Sequence, residues 1–295
     1  IAAPAAWDVT TGSSGVVIAI IDSGVDQDHP DLAAKTWTNS DEIAGNHKDD
    51  DGNGFVDDWR GWDFCYDDND PSPVPNGIDE DGRYGADDNV NHGTLVAGTA
   101  AAVGNNAYGV AGVDWGARIM ALQVFPDDGS AYLSTVIEAM YYAIENGANI
   151  INLSIGTSYT SIFTAPVTDA YDAGILVVCA GGNESTELTD SSVTWESPVC
   201  NDGTDVYSQN HILGVGATDR YDVKSYYSNY DSSSAHFIDV MAPGDAIYGT
   251  FVYCPTVSGF GSYFGAMSGP HSHRRSWRVW RRWSRVSGPQ RRRLT

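Results

Sequence analysis

The feature that most constrains the fold is an apolar run that ends on an aspartate. Residues 16–21 read Val-Val-Ile-Ala-Ile-Ile, and Asp22, Ser23 and Gly24 follow directly. An uninterrupted, mostly β-branched run is typical of a strand buried on both faces of a parallel sheet. Chemistry in open α/β sheets lies just beyond the carboxyl ends of such strands, which makes Asp22 a candidate functional carboxylate. The alternative is an aspartate that only caps the following turn.

Strand-like and helical patterns alternate through the rest of the chain. Apolar runs typical of strands occupy residues 118–124, 149–154, 175–180, 211–217 and 236–241, and helical patterns occupy residues 132–146 and 166–173. This alternation predicts an α/β fold of three layers, a central and mostly parallel sheet with helices on both faces. A chain of 295 residues is long enough for one large domain of this kind.

An acidic segment between these elements has the spacing of a calcium loop. Residues 49–58 read DDDGNGFVDD, which places oxygen-bearing side chains at alternate positions around glycines. The twelfth position is Arg60 instead of Glu, so the segment is not a complete EF-hand. The alternative is a solvated acidic loop. The candidate calcium ligands are Asp49, Asp51, Asn53, Phe55, Asp57 and Asp58, with a weaker second group of Asp63, Asp68, Asp70 and Ser72.

A histidine begins a helical pattern further along the chain. His92 is followed by Gly-Thr-Leu-Val-Ala-Gly-Thr, whose small residues allow a helix to pack closely on a sheet. We therefore expect His92 at a helix N-terminus. A lone histidine in such a place is usually structural. Because a strand-end aspartate precedes it, His92 is also a candidate general base whose ring Asp22 would orient.

Several motifs in a fixed order point to one family. They are Asp22-Ser23-Gly24, His92-Gly93-Thr94, Asn152-Leu153-Ser154-Ile155-Gly156, Val177-Val178-Cys179-Ala180-Gly181-Gly182-Asn183, Tyr227-Ser228-Asn229-Tyr230 and Val240-Met241-Ala242-Pro243-Gly244. In this order the chain resembles the subtilisin-like serine proteases, or subtilases, over residues 2–269. The resemblance implies a subtilisin-like fold and a secreted, monomeric serine endopeptidase that cleaves polypeptides and uses structural calcium.

The resemblance also implies roles for individual residues. Asp22 would orient His92, which would take the nucleophile's proton and return it to the leaving amine. Asn183 would donate a hydrogen bond to the developing oxyanion. The strand edge that would bind an extended peptide, and the pocket for the side chain before the scissile bond, would be formed by Leu153, Ser154, Ile155 and Gly156, and by Gly181 and Gly182.

The family's nucleophile motif is missing. The family reads Gly-Thr-Ser-Met/Phe-Ala-x-Pro at the start of a buried helix, and this chain contains no such motif. Its one Gly-Thr-Ser, at residues 156–158, continues as Tyr159-Thr160 and does not match the motif. The serine is expected at about Pro270 and His271. Ser268 and Ser272 are poor substitutes, because a misplacement of about 1 Å can cost around 100-fold in rate. The chain therefore keeps the Asp and His of a triad and lacks its Ser.

A shift of reading frame at about Ser268–Gly269 explains this loss. The codons permitted from the third base of Ser268 onward can translate as Gly-Thr-Ser-Phe-Ala-Ser-Pro-Val-Val-Ala-Gly-Val-Ala-Ala-Leu-Val. That translation is the family's nucleophile segment in register. We expect residues 1–269 to be a peptidase domain incomplete at both ends, and residues 270–295 to be an out-of-frame tail. The alternative is a catalytically dead calcium- and peptide-binding pseudoprotease, or a pseudogene product.

The charge distribution changes abruptly at the same place. The formal net charge is −23, yet the last 22 residues contain nine arginines and no acid. A body so acidic repels nucleic acid, and no run of 18 apolar residues could span a membrane, so neither partner is expected. Trp277, Trp280 and Ser284 among the arginines leave open a third, weaker interpretation, a basic tail that binds a membrane surface or nucleic acid.

Overall fold

A computed structural model of the chain describes residues 2–75, 88–126, 131–189, 194–202, 210–231 and 236–268. The helices are α1 (Ala3–Trp7), α2 (Asp88–Ala101), α3 (Leu133–Glu145) and α4 (Thr164–Asp172), with short 3₁₀ helices at Ala33–Lys35 and Ser161–Phe163. The strands are β1 (Val17–Asp22), β2 (Gly61–Asp63), β3 (Arg118–Gln123), β4 (Ile150–Leu153), β5 (Thr157–Ser158), β6 (Leu176–Ala180), β7 (Glu187–Leu188), β8 (Glu196–Ser197), β9 (Ile212–Thr218), β10 (Tyr230–Asp231), β11 (Val240–Pro243), β12 (Ile247–Thr250) and β13 (Phe264–Met267).

Seven of these strands form one parallel sheet. Their order is β11-β9-β6-β4-β1-β3-β2, and each neighbouring pair runs parallel. Strand β1 lies between β3 and β4, with Asp22 opposite Gln123 and Ile20 opposite Asn152. Because all seven strands point the same way, the residues that follow β1, β4 and β6 lie along one edge of the sheet.

Side chains of β1 alternate between two cores. Ile18 and Ile20 belong to a cluster that includes Ala97 of α2, whereas Ala19 and Ile21 belong to a larger cluster with residues of α3 and α4. Each face of the sheet is therefore covered by helix, as the period-two geometry of a strand requires. The predicted three-layer α/β fold is confirmed, and the sheet is entirely parallel among its described strands.

The last predicted strand begins later than expected. The apolar pattern placed a strand over residues 236–241, but β11 starts at Val240. The backbone N–H of Ile238 donates to the carboxylate of Asp231 at 2.7 Å, so this part of the segment bonds a side chain. At Ile238 a side-chain acceptor therefore takes the place of a ladder hydrogen bond.

An antiparallel hairpin lies against α2 and was not predicted. Strands β12 and β13 pair from Ile247 opposite Met267 to Thr250 opposite Phe264. The Thr250 hydroxyl donates to the backbone oxygen of Thr94 at 2.6 Å, which ties the hairpin to the helix that carries His92. The hairpin therefore packs against α2 next to Thr94.

Candidate active site

The structure brings the strand-end aspartate and the helix histidine into contact. Nδ1 of His92 lies 2.8 Å from Oδ1 and 2.9 Å from Oδ2 of Asp22. The Asp22 side chain is 1% exposed, whereas that of His92 is 37% exposed. An ionised carboxylate can only accept hydrogen bonds, so Nδ1 carries the proton in this pair. The arrangement fixes the ring orientation and tautomer of a histidine that reaches solvent.

Close packing between β1 and α2 makes this contact possible. A Cβ atom on Gly93 would lie 2.2 Å from the backbone oxygen of Gly24, so only glycine fits there. The Gly93 N–H also donates to the Ser23 hydroxyl at 3.1 Å. Helix α2 already includes Asp88, which places His92 in its second turn. The expectation that His92 opens the helix is thereby corrected.

Asn183 lies on the loop that follows β6. The residue is exposed, and its backbone N–H donates to the carboxylate of Glu184 at 2.6 Å. Strand β6 neighbours β4, which neighbours β1, so Asn183 and Asp22 lie along the same carboxyl edge of the sheet. The predicted oxyanion donor is thus on the predicted edge.

The predicted substrate segments lie at the ends of the two neighbouring strands. Leu153 is the buried last residue of β4, and Ser154, whose hydroxyl accepts from Asn152 at 2.9 Å, continues toward Ile155 and Gly156. Gly181 donates to the backbone oxygen of Val215 at 2.8 Å, which holds the segment against β9. Gly182 has a φ of +96°, a backbone conformation that favours glycine.

The structure gathers part of the predicted calcium loop around a residue that sequence reasoning missed. Carboxylate oxygens of Glu42, Asp49 and Asp51 all lie within 4.8 Å of one another. Glu42 is 8% exposed, and burial raises the pKa of its carboxyl group. Its Oε1 accepts backbone hydrogen bonds from Asp50 and Asp51, while Oε2 is buried without a hydrogen-bond partner.

The other candidate ligands in this loop have structural contacts. Asp57 accepts backbone hydrogen bonds from Gly45 and His47. Asp58 is fully buried and accepts from Tyr142 at 2.7 Å and from the Asn53 side chain at 2.9 Å. The Asn53 amide also donates to Asp51, so Asp58 and Asp51 share a donor.

The Phe55 ring packs at centroid distances of 5.0 to 5.6 Å against three aromatic rings, those of Trp62, Phe64 and Tyr142. These contacts hold the middle of the loop on the side of α3. Phe55 was predicted as a calcium ligand, and its side chain has this packing role in the structure.

The weaker acidic group is more dispersed. Asp63 accepts from the backbone of Cys65 and Tyr66, Asp68 accepts from the backbone of Asp70, and Asp70 pairs with Arg60 at 3.2 Å. Ser72 is half-buried. Within the described ranges, the only three acidic groups that converge are Glu42, Asp49 and Asp51. A second calcium site here stays a prediction.

Comparison with known proteins identifies the family. The sequence model described as "Subtilase family" matches residues 13–270. The chain belongs to the subtilase family. It is 37% identical over 246 residues to a thermophilic serine proteinase of Bacillus sp. (strain AK1), covering 83% of this chain and 48% of that protein. It is 35% identical over 273 residues to thermitase of Thermoactinomyces vulgaris, covering 92% of this chain and 76% of thermitase.

A solved structure gives the same answer for the fold. A cold-adapted subtilisin-like serine proteinase matches with a TM-score of 0.59 and 22% sequence identity, covering 88% of this chain and 71% of that one. Among the relatives, halolysin of Haloferax mediterranei is 32% identical over 271 residues, covering 87% of this chain and 43% of halolysin. The subtilase chain thus spans about half the length of some curated relatives and three quarters of thermitase.

Two of the expectations fall outside the described residues. Pro270 and His271, where the subtilase nucleophile is expected, and the whole tail over 270–295 are outside the described residues. No described helix combines the length and the apolar character that crossing a membrane demands. Among the described residues, Cys179, Cys200 and Cys254 form no disulfide.

Sequence reasoning assigned no role to three further residues near Gly182. Asn229 is fully buried and donates to Glu184 at 2.9 Å and to Glu196 at 3.0 Å. Burial raises the pKa of Glu196 to about 8, and the nearby Glu184 adds to that rise. Asn229 lay within a motif of the resemblance, which could have drawn attention to it, whereas Glu196 had no such signal.

Proposed function

We propose that this chain derives from a serine endopeptidase of the subtilase family, whose triad is Asp22, His92 and a serine lost from the reading frame. The observation that carries the proposal is the contact of 2.8 Å between the buried Asp22 carboxylate and Nδ1 of His92. A carboxylate that holds the Nδ1–H tautomer leaves Nε2 as the nitrogen that exchanges a proton with a nucleophile. The fold and its relatives supply the reaction class.

The remaining groups have defined tasks in peptide hydrolysis. His92 takes the proton of the attacking hydroxyl and later delivers it to the leaving amine, while Asp22 stabilises the imidazolium. The Asn183 side chain donates to the oxyanion of the tetrahedral intermediate, an interaction whose loss typically costs about 10²–10³ in turnover. Ser154 to Gly156 bind the substrate backbone as an added strand, and Gly181 and Gly182 border its side chain.

The frameshift belongs to the same proposal. The family match ends at residue 270, beside the position where the out-of-frame codons begin to permit Gly-Thr-Ser. We therefore assign residues 1–269 to the peptidase domain and 270–295 to an out-of-frame tail. The second candidate is a dead calcium- and peptide-binding protein, which the absence of the Gly-Thr-Ser-Met/Phe-Ala-x-Pro motif from the sequence favours.

Sequencing and active-site labelling separate the two candidates. Resequencing the DNA across codons 262–290 is expected to reveal a frame disruption near codon 268. An intact frame through Arg285 would reject the frameshift and favour the catalytically dead protein.

The chain as written is expected to show no labelling by a serine-directed fluorophosphonate and no turnover of a chromogenic peptide, because its nucleophile is missing. Clear labelling of this chain would contradict the assignment of the lost serine.

We further propose structural calcium at Glu42, Asp49 and Asp51. Three converging carboxylates form the oxygen-rich donor set that calcium prefers, and the buried Oε2 of Glu42 has no hydrogen-bond partner among the described residues. A hard cation would satisfy that oxygen and relieve the repulsion from Asp51 and Asp58 that raises the pKa of Glu42 further. Bound calcium would stabilise the loop and take no part in the chemistry.

Thermal unfolding tests the calcium site in the chain as written. Saturation at 100 times the dissociation constant is expected to add about 2.7 kcal/mol of stability, which raises the unfolding temperature. Glu42→Gln is expected to remove most of the calcium-dependent rise. Glu145→Gln, an exposed change of equal charge at the end of α3, is expected to leave it intact. Equal responses of the two variants would locate the calcium elsewhere.

Partners and location follow from the family and the charge. The relatives include a protein named extracellular protease from Xanthomonas campestris. We propose a secreted, monomeric enzyme with polypeptide substrates and without nucleic-acid or membrane partners, because its net charge of −23 opposes polyanion binding.

A further inference from the structure

Two glutamates that the proposed mechanism does not use lie beside the glycine segments of the substrate site. Glu184 follows Asn183 directly. Glu196 begins β8, which pairs antiparallel with β5 immediately after Gly156. The two carboxylates therefore approach the substrate site from its two sides, one from the loop after β6 and one from β8.

Their oxygens converge on Gly182. A Cβ atom placed on Gly182 would lie 2.3 Å from Oε2 of Glu196 and 2.9 Å from Oε2 of Glu184. A Cβ atom on Gly156 would lie 3.7 Å from the same Glu196 oxygen. Oε2 of Glu196 is therefore located between the two glycine segments that border the substrate side chain, with no side chain on either glycine to cover it.

A buried amide holds the pair in place. The Asn229 side chain donates to Oε2 of Glu184 at 2.9 Å and to Oε1 of Glu196 at 3.0 Å. Its own oxygen accepts from the backbone of Glu184 and Thr186, which fixes the amide orientation. Glu196 and Glu184 are also joined by a side-chain hydrogen bond. The pair is thus a positioned group of carboxylate oxygens at the glycine segments.

No protein cation balances this charge within the described part of the chain, where the ion pairs involve other residues. Burial, the hydrogen bond to Glu184 and the repulsion from it together raise the pKa of Glu196 to about 8. Two carboxylates so near each other cannot both ionise easily without a counter-charge. A cationic ligand at this place would supply that counter-charge.

We propose that Glu184 and Glu196 line the pocket for the substrate side chain before the scissile bond and select lysine or arginine there. This inference rests on the proposed function, because it takes the glycine segments as the substrate site. A guanidinium or ammonium group would donate to Oε2 of Glu196 and neutralise the pair. An apolar side chain would cover the carboxylates without pairing them, which disfavours it.

Peptide binding to the full chain as written tests the selection without needing turnover. The probes are fluorescein-labelled Ala-Ala-Ala-Xaa amides in which Xaa is arginine, lysine, norleucine or glutamate, followed by fluorescence anisotropy at pH 8.5 and low salt. Arginine and lysine peptides are expected to bind about tenfold more tightly than the norleucine peptide, as expected for hydrogen bonds to a charged group. The glutamate peptide is expected to bind most weakly.

Charge-neutral variants assign the preference to the pair. Glu196→Gln is expected to bring the arginine and norleucine peptides within about threefold of each other, since its amide no longer supplies a charge. Glu184→Gln is expected to act in the same direction and serves as the second variant if Glu196→Gln does not fold by circular dichroism. Glu145→Gln, which changes the net charge equally on α3, is expected to keep the tenfold preference.

The outcomes separate the inference from the function on which it rests. Equal or tighter binding of the norleucine peptide by the unmodified chain overturns the selection of basic side chains and leaves peptide binding intact. A preference that survives in both glutamine variants also overturns the assignment to this pair. Failure of every peptide to bind overturns the substrate cleft itself, and with it both proposals.

Discussion

At the residue scale, Gly93 matters to the contact between Asp22 and His92 as much as these two residues do. The helix that carries His92 approaches β1 so closely that a methyl group on Gly93 would meet the backbone oxygen of Gly24 at 2.2 Å and the Cβ of Asp22 at 3.1 Å. Backbone atoms cannot rotate away as a flexible side chain can. The distance of 2.8 Å between His92 and Asp22 therefore depends on the absence of a side chain one residue later.

Gly93→Ala is expected to lower the free energy of unfolding by about 1–3 kcal/mol, because it forces α2 away from β1. Urea denaturation monitored by circular dichroism measures the change. Gly261→Ala is the matched control, since a Cβ there meets nothing within 4 Å, and a change within about 0.5 kcal/mol is expected. Equal stability of the two variants would mean that α2 can shift at no cost.

The environment of Glu196 predicts that the stability of the folded chain depends on pH. The pKa of Glu196 rises from its ordinary value of 4.5 to about 8 in the folded chain, mainly through burial. The folded state therefore binds this proton more tightly than the unfolded state between these two values. Stability from this group is fully present below about pH 4.5 and is lost as the pH rises through about 8.

We compare the unfolding free energy of the unmodified chain with that of Glu196→Gln. The difference is expected to fall by about 1–2 kcal/mol between pH 5 and pH 9. This value is reduced to account for screening by solvent. Denaturation curves at both pH values give the difference. The titratable neighbours of Glu196 are Glu184 and Cys200, and burial raises the pKa of the Cys200 thiol to about 12, outside this range. A difference that does not change with pH would contradict the raised pKa of Glu196.

Some functional residues could be predicted from the sequence and others could not. Asp22 and His92 each have a local sequence signal. Asp22 ends an apolar strand pattern, and His92 precedes a helical pattern of small residues. Glu196 and Glu42 have no such signal. The importance of Glu196 depends on a partner distant in sequence, Asn229, which is 33 residues away. Contacts between residues so far apart in sequence are set by the fold. A single sequence without relatives does not reveal them.

At the scale of elements, the acidic loop is attached to α3 through one buried hydrogen bond. The Tyr142 hydroxyl donates to Asp58 at 2.7 Å, and both side chains are buried. Burial and the neighbouring Asp58 raise the pKa of Tyr142, so its hydroxyl stays protonated and available as a donor. Phe55 of the same loop packs against the Tyr142 ring at 5.0 Å.

Tyr142→Phe keeps this ring contact and removes only the donor. We expect it to lower the free energy of unfolding by about 1–3 kcal/mol, because the buried Asp58 loses a partner. The neighbouring Tyr141 makes a similar bond of 2.9 Å to Asp169 at the surface. Tyr141→Phe is therefore the control, with an expected loss below about 0.5 kcal/mol. Equal losses in urea denaturation would show that the loop is not anchored at Asp58.

Helices and strands were predicted correctly where the periodic pattern extended over several residues. The strand predicted over residues 118–124 is Arg118–Gln123, and the helix predicted over residues 132–146 is Leu133–Glu145. The strands β5, β7 and β8 contain two residues each, too few to show a period. Strand β2 was missed for a related reason, because its three residues follow an acidic segment that reads as loop.

At the scale of the molecule, the parallel sheet collects residues that are far apart in sequence. Asp22, Leu153 and Asn183 follow or end strands that are neighbours in the order β6-β4-β1. The expectation that chemistry lies along this edge came from the strand pattern alone, before any contact was known. The nucleophile is the one part of the proposed triad that the written sequence cannot supply, so its proposed origin must be tested on the gene.

Restoring the reading frame at codon 268 or 269 is expected to convert an inert chain into a labelled one. The new segment would supply the serine and a helix whose buried apolar side chains each add about 1.5–3 kcal/mol, so the restored chain is also expected to unfold at a higher temperature. Fluorophosphonate labelling and hydrolysis of a peptide nitroanilide measure the gain.

Asp22→Asn in the restored chain is expected to reduce turnover by about 10⁴, because His92 then adopts the wrong tautomer, while the fold stays intact. A restored chain that folds cooperatively and remains unlabelled would reject the triad, whatever the gene sequence shows.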